Sequence, residues 1–188
     1  MTPPADVLHI VADEVQRCVR SVDPSELERA LDLLDSAPRV FLTGAGRSGL
    51  AIKAFAMRLM HKGAAAYMVG DVTTPAMGAG DVLVVGSGSG HTPSVVLHAE
   101  TARRLGARVL LITIVADSPI GALADAIVVV PAPSPKAKCV GPPVRSQQAM
   151  GSLFEQALLL VCDAMVLASM LRHGIDPDDM FRRHANLE

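Results

Sequence analysis

Along this chain the spacing of apolar positions changes once, near residue 38. From residue 5 to 37 they recur at helical spacing in two pieces. Between the pieces, Asp23-Pro24-Ser25-Glu26 predicts a helix start, with Asp as N-cap, Pro at the first helical position and Glu at the third. After that, short apolar runs take over: RVFLT (39–43), AAYMV (65–69), DVLVV (81–85), RVLLIT (108–113) and AIVVV (126–130). Amphipathic stretches such as 47–62 and 93–105 separate most of them. Unbroken apolar runs alternating with helices predict a parallel sheet covered on both faces. PAPSPKAKCVGPP (131–143) is hostile to regular structure and predicts a surface loop. A long helix is expected over 151–173 and a short one after Asp176-Pro177. With no repeat or low-complexity tail, the expected organisation is one domain over 1–188, a helical arm (1–37) joined to an α/β core with C-terminal helices (38–188).

Composition narrows the function. Half of the 188 residues are hydrophobic, yet aromatics are only 3% and Trp is absent, so Ala, Val, Leu and Met must build the core. A formal charge of −2 argues against a nucleic-acid binder. Three widely spaced cysteines (Cys18, Cys139, Cys162) without a C-x-x-C suit reduced thiols in a cytoplasmic protein better than a disulfide framework or zinc site. The N-terminus has no basic segment followed by an apolar one, which argues against a signal peptide. ALLLVCDAMVLASML (157–171) is short for a membrane span and is interrupted by Asp163, so a buried helix is expected.

Candidate chemistry lies in two glycine loops that leave strand ends, where ligands of open α/β sheets bind. GAGRSG (44–49) follows the first strand and GSGSGHT (86–92) the third. Each precedes a helix whose first N–H groups lack intrahelical partners and attract an anion. The first loop satisfies the G-x-G-x-x-G spacing of dinucleotide sites, and Asp71 stands where such a site holds a ribose. Against that reading, the chain leaves no length for a separate substrate domain. A dinucleotide fold also has no need of a second loop carrying Ser87, Ser89 and Thr92. Three hydroxyls among free amides suit a phosphate monoester. A flexible turn capped by Ser or Thr is the plain alternative. In the first loop, Gly46, Arg47 and Ser48 offer close backbone approach, a cation and a hydroxyl.

The loops resemble the sugar isomerase (SIS) domain, whose S-x-S-G-x-T phosphate loop matches Ser87-Gly88-Ser89-Gly90-His91-Thr92. GAGRSG, AFAMRLMHKG (54–63), VGDVTTPA (69–76), MGSLFEQALLL (150–160) and RRHANLE (182–188) narrow the resemblance to the 6-phospho-3-hexuloisomerase branch. Three positions depart from the pattern: Asp71 for Glu, Ala149 for Pro and His91 for Glu. The resemblance implies a three-layer α/β sandwich with a five-stranded parallel sheet in flavodoxin-like order. It also implies a homotetramer, and an enzyme of the ribulose monophosphate pathway of formaldehyde fixation that converts D-arabino-3-hexulose 6-phosphate to D-fructose 6-phosphate through an enediol. That chemistry requires no cofactor, and no convincing metal-ligand set is visible. The upstream 3-hexulose-6-phosphate synthase is a candidate partner.

Within this reading Glu155 is the candidate base, although Ser152-x-x-Glu155 is also a capping-box pattern at a helix start. His184, reached from a neighbouring subunit, and His61 are candidates to assist proton transfer, against structural roles for both. Arg47 would neutralise enediolate or phosphate charge, because a cation at a helix start otherwise opposes the dipole. Thr73 and Thr74 are candidate contacts to sugar hydroxyls, with a plain turn as the alternative. A non-catalytic sugar-phosphate regulator and another aldose–ketose phosphate isomerase of the same fold are the competing functions.

Overall fold

The computed structural model describes residues 3–136 and 145–187. Part of the expected 131–143 loop, together with Cys139 and the final Glu188, lies outside them. The arm forms α1 (Pro4–Arg20) and α2 (Pro24–Asp35). The Asp23 side chain accepts from the Ser25 N–H at 2.8 Å, so the expected start signal operates as a cap. The core continues as β1 (Val40–Gly44), α3 (Gly46–Lys62), β2 (Ala66–Met68), β3 (Val82–Gly86), α4 (Pro93–Arg104), β4 (Arg108–Thr113) and β5 (Ala126–Val129). Two helices follow, α5 (Ser152–His173) and α6 (Pro177–Phe181).

All strand pairs are parallel and the order is β2-β1-β3-β4-β5, as expected. Alternate residues serve opposite faces. Val40, Leu42, Val84, Ile112 and Val128 share a core with α2, α3 and α5, while Phe41, Leu83, Val85 and Leu111 pack with α4. The layers are therefore unequal. The links after β2 and β4 contain no α-helix, only turns and a 3-10 segment (Gly121–Leu123), so one face has fewer helices to cover it.

Chain direction reverses its spread at β1, which pairs with β2 on one side and β3 on the other. Gly44 and Gly86 are register partners, so both glycine loops leave the sheet from adjacent points at this switch. The approach there is close. A Cβ at Gly49 would lie 2.7 Å from the Gly44 carbonyl oxygen, and one at Gly86 2.4 Å from Ile52 Cγ1. Glycine lets the start of α3 sit directly on the strand ends.

The long helix α5 is apolar enough by length and composition to cross a membrane. Here it is a core helix: Leu153, Phe154, Leu158, Met165 and Val166 are buried, and it packs on α1, α2 and α3. Within it Cys162 is fully enclosed, and burial, reinforced by Asp163, pushes its thiol pKa up into an unreactive range. At the open edge of the sheet, the Val130 N–H turns inward to Thr113 while the outward Val129 N–H is taken by Glu26 of α2 at 2.7 Å.

Asp35 ties α2, α3 and α5 together by accepting from Ser169 (2.8 Å), Lys62 (3.2 Å) and His173 (2.9 Å). Burial alone would raise its pKa, but these hydrogen bonds and the Lys62 charge outweigh it and hold the carboxyl at about 2. A depressed carboxylate contributes stability that is complete above its unfolded value, near pH 4, and is lost as pH falls toward 2. Asp35 should therefore contribute about 2 kcal/mol at neutral pH. Urea melts from pH 6 to 2 should show a smaller acid loss in Asp35→Asn than in the parent.

Candidate active site

The two glycine loops and the start of α5 enclose a cleft of about 390 Å³ at the carboxyl ends of β1 and β3. Gly46, Arg47, Ser48, Ser87, Gly88, Ser89, Thr92 and Glu155 all line it. All seven residues singled out in the two glycine loops thus lie in one place, although the loops are some forty positions apart in the chain.

The loop after β3 is held by its own bonds. Ser87 Oγ accepts from the Gly90 N–H and Ser89 Oγ from the His91 N–H, each at 3.2 Å. The Gly88 carbonyl accepts from the Ile114 N–H and the Thr113 hydroxyl, both at 3.1 Å. Hydroxyls that accept from backbone in this way retain their O–H for an anion in the cleft. Gly90 has φ of 65°, the left-handed conformation, which lets the loop turn back toward α4. Thr92 is the N-cap of α4 but makes no side-chain cap bond, and α3 likewise starts without one. Ser87 and Ser89 cap turns within the loop, while neither helix start receives a side-chain cap. Two uncapped helix starts face one cleft.

Opposite the hydroxyls, the Arg47 guanidinium and the Glu155 carboxylate form an ion pair that joins α3 to α5. The capping-box alternative for Glu155 is not realised. The helix starts one residue after Gly151, which makes no side-chain cap bond, and Glu155 turns into the cleft toward Arg47. The local pattern could not reveal this, because the deciding partner lies 108 residues away.

The two candidate histidines are brought together, but elsewhere. Their rings stack at 5.3 Å between centroids, in a hollow lined by Arg58, Asp163 and Phe181. His61 is buried, and burial lowers its pKa, assisted by the Arg58 and His184 charges. It stands 14 positions beyond Arg47 on the same helix, about 21 Å along the axis. Within one chain neither histidine reaches the cleft. Thr73 and Thr74 line a separate depression with Lys53, Tyr67 and Asp71, and the Thr74 hydroxyl donates to the Met68 carbonyl. Asp71 is consequently away from the first glycine loop's cleft, which removes the ribose contact that a dinucleotide would need. Sequence reasoning missed Ser134, Lys136 and Met150, which also line the cleft. The parallel topology held a signal for Lys136, since every loop following a strand ends on this same side of the sheet.

The SIS domain family matches residues 33–160, which span both loops and the first half of α5. The chain belongs to the SIS domain family. Among relatives of this SIS protein, the 3-hexulose-6-phosphate isomerase of Mycobacterium gastri is 44% identical over 96% of this chain and 89% of its own length. The enzyme of that name from Bacillus subtilis is 43% identical, covering 95% of each chain. Among solved structures, a hypothetical protein from Methanococcus jannaschii, for which a 3-hexulose-6-phosphate isomerase function was inferred, superimposes with a TM-score of 0.83. It is 29% identical, over 97% of this SIS domain and 99% of that chain. Among its described residues the SIS domain holds no cluster of three or more His, Cys, Asp or Glu side chains suited to a metal ion.

Proposed function

We propose that the protein is a 3-hexulose-6-phosphate isomerase, interconverting D-arabino-3-hexulose 6-phosphate and D-fructose 6-phosphate. The observation that carries this is the cleft itself: a hydroxyl-rich phosphate loop faces an arginine–carboxylate pair across a space sized for one phosphorylated sugar. The relatives' shared name supplies the substrate. Ser87, Ser89 and Thr92, with Gly88 and the start of α4, hold the 6-phosphate. Gly46, Arg47 and Ser48 line the opposite wall. Glu155 takes the C2 proton of the hexulose, giving the C2–C3 enediol, and a proton returns at C3. Arg47 moves from Glu155 to the developing enediolate oxygen and stabilises it. With O6 esterified, O5 could close only a four-membered ring onto C3. The hexulose therefore enters open-chain, and no ring-opening acid is required in this direction.

The protein operates as one cytoplasmic domain, arm and core together, in the ribulose monophosphate pathway. 3-Hexulose-6-phosphate synthase is a candidate partner there. Assembly as a homotetramer is supported by apolar side chains left exposed on α3 and α5, among them Leu50, Met57, Leu160, Leu167 and Leu171. Such an assembly is also what would let His184 or His61 approach a neighbour's cleft. Sedimentation at micromolar concentration should show a species several times the 19.7 kDa chain mass, and a monomer alone would remove any role for the two histidines in proton transfer.

Incubation with fructose 6-phosphate in deuterated water tests the reaction, because only a 3-hexuloisomerase exchanges the C3 proton. The phosphate loop has its own test. Ser89→Ala should weaken substrate binding by about 1–3 kcal/mol, the worth of a charge-assisted hydrogen bond. Its stability should barely change, since the His91 N–H that it releases is exposed to water. Calorimetry with fructose 6-phosphate measures the first quantity and thermal melting the second.

A further inference from the structure

Glu14 is a buried carboxylate of α1, outside the cleft, and both of its oxygens are in use. Oε2 accepts from the Ser146 hydroxyl at 2.6 Å and the Gln148 side-chain amide at 3.1 Å, and Oε1 accepts from the Gln147 N–H at 2.8 Å. Burial would raise its pKa, but these three bonds and the Arg17 charge more than offset that, so it remains an ionised acceptor.

What the bonds hold is the approach to α5. Directly after the clamped residues the chain passes through Met150, the one non-glycine residue with positive φ (57°) among the described residues. That conformation is strained for methionine and persists only where surrounding contacts impose it. Met150 and Gly151 then line the cleft, and α5 begins. The first turn of α5 faces two ways: Leu153 packs beside Glu14, while Phe154 and Glu155 face the cleft. Gly151 lies under the Glu155 carboxylate, where an added Cβ would be 3.5 Å from Oε1. One turn along α1, the Cys18 thiol lies 3.5 Å from the Pro131 carbonyl, just before the Ser134–Lys136 stretch that forms another part of the wall.

We infer that Glu14 is a positioning residue for the isomerisation, bracing residues 146–148 so that the strained elbow at Met150 sets the Glu155 carboxylate at its working place. The inference rests on the isomerase reading of the cleft. The phosphate loop belongs to other elements, so the brace governs the position of the base and not substrate affinity.

The experiment compares the parent with Glu14→Gln, Ser146→Ala and the double variant in kcat, fructose 6-phosphate affinity and amide exchange followed by mass spectrometry. Glu14→Gln should lower kcat about ten- to a hundredfold, the scale of a misplaced catalytic group. Affinity should hold, and exchange should quicken over 145–156 but not across the sheet. Ser146→Ala should lose less, and the double variant should be no worse than Glu14→Gln, because both break one brace. An unchanged kcat in a folded Glu14→Gln protein overturns the inference. So do losses that multiply in the double variant, or faster exchange throughout the chain with turnover per folded molecule intact. If Glu14→Gln does not fold, Ser146→Ala alone decides by the same split. A parent protein that does not isomerise defeats the functional reading instead, and the exchange pattern then still reports whether the brace exists.

Discussion

Glu155→Gln should lower isomerase turnover by about a hundredfold or more, the usual scale for loss of a general base. Substrate affinity and melting temperature should stay close to those of the parent. The separation follows from the geometry. Glutamine keeps the size of the side chain and can still accept from Arg47, but it cannot take a proton. No helix cap is lost, because the first turn of α5 is closed by the Glu155 main-chain N–H on the Gly151 carbonyl while the Glu155 side chain pairs with Arg47. The charge removed faces an Arg47 side chain that is 64% exposed, and surface ion pairs of that kind contribute about 0–1 kcal/mol. Affinity should survive because the phosphate hydroxyls sit on the loop after β3. Rate, calorimetric binding and melting on one preparation check all three expectations. A variant that turns over at near the parental rate would shift the proton transfer to a histidine of a neighbouring subunit.

Gly49→Ala should damage both the fold and the cleft through a single added methyl group. By propensity alone, alanine in a helix gains up to about 1 kcal/mol over glycine. The added Cβ, however, would lie 2.7 Å from the Gly44 carbonyl oxygen and 3.0 Å from its carbon, both main-chain atoms of β1. No side-chain rotation relieves that contact, so the start of α3 must lift from the strand. Overpacking of this kind costs about 1–3 kcal/mol, and a backbone-to-backbone clash belongs at the upper end. The net expectation is destabilisation by ~1–2 kcal/mol, a fall of several degrees in Tm for a chain of this size. Because Arg47 rides on the displaced turn, substrate affinity and kcat should fall together, unlike in Glu155→Gln. Melting and steady-state kinetics on the same sample distinguish the two patterns.

The three central strands were legible because parallel strands buried on both faces need no polar alternation, so RVLLIT and its counterparts read directly as sheet. The cleft-lining loop after β3 was legible for a different reason: glycines between hydroxyls after a strand mark a close approach to a strand-end cleft. What stayed hidden depends on long-range placement. Ser152-x-x-Glu155 fits a capping box and a catalytic helix start alike, and the turn of Glu155 toward Arg47 depends on a residue 108 positions away. His61 and His184 are neighbours because α6 returns to the far end of α3, which no local spacing encodes. Thr73 and Thr74 follow a three-residue edge strand, and their link places them in a depression apart from the cleft. Glu14 reads as one acidic position among several on an amphipathic helix until the loop that it holds is in view.

The contact between Glu26 and the outward N–H of Val129 concerns solubility as well as architecture. A sheet border with unclaimed donors is a template on which another chain's strand can add. Here the arm is laid along that border and one of its carboxylates claims the donor, so further strands cannot join in register. A core shorn of residues 1–37 would lose the Glu14 brace, uncover the core side chains that α1 and α2 bury, and present an open, mostly apolar margin. It would be prone to sheet extension and precipitation. The Glu26 carboxylate thus works against each copy of the sheet becoming the next copy's partner.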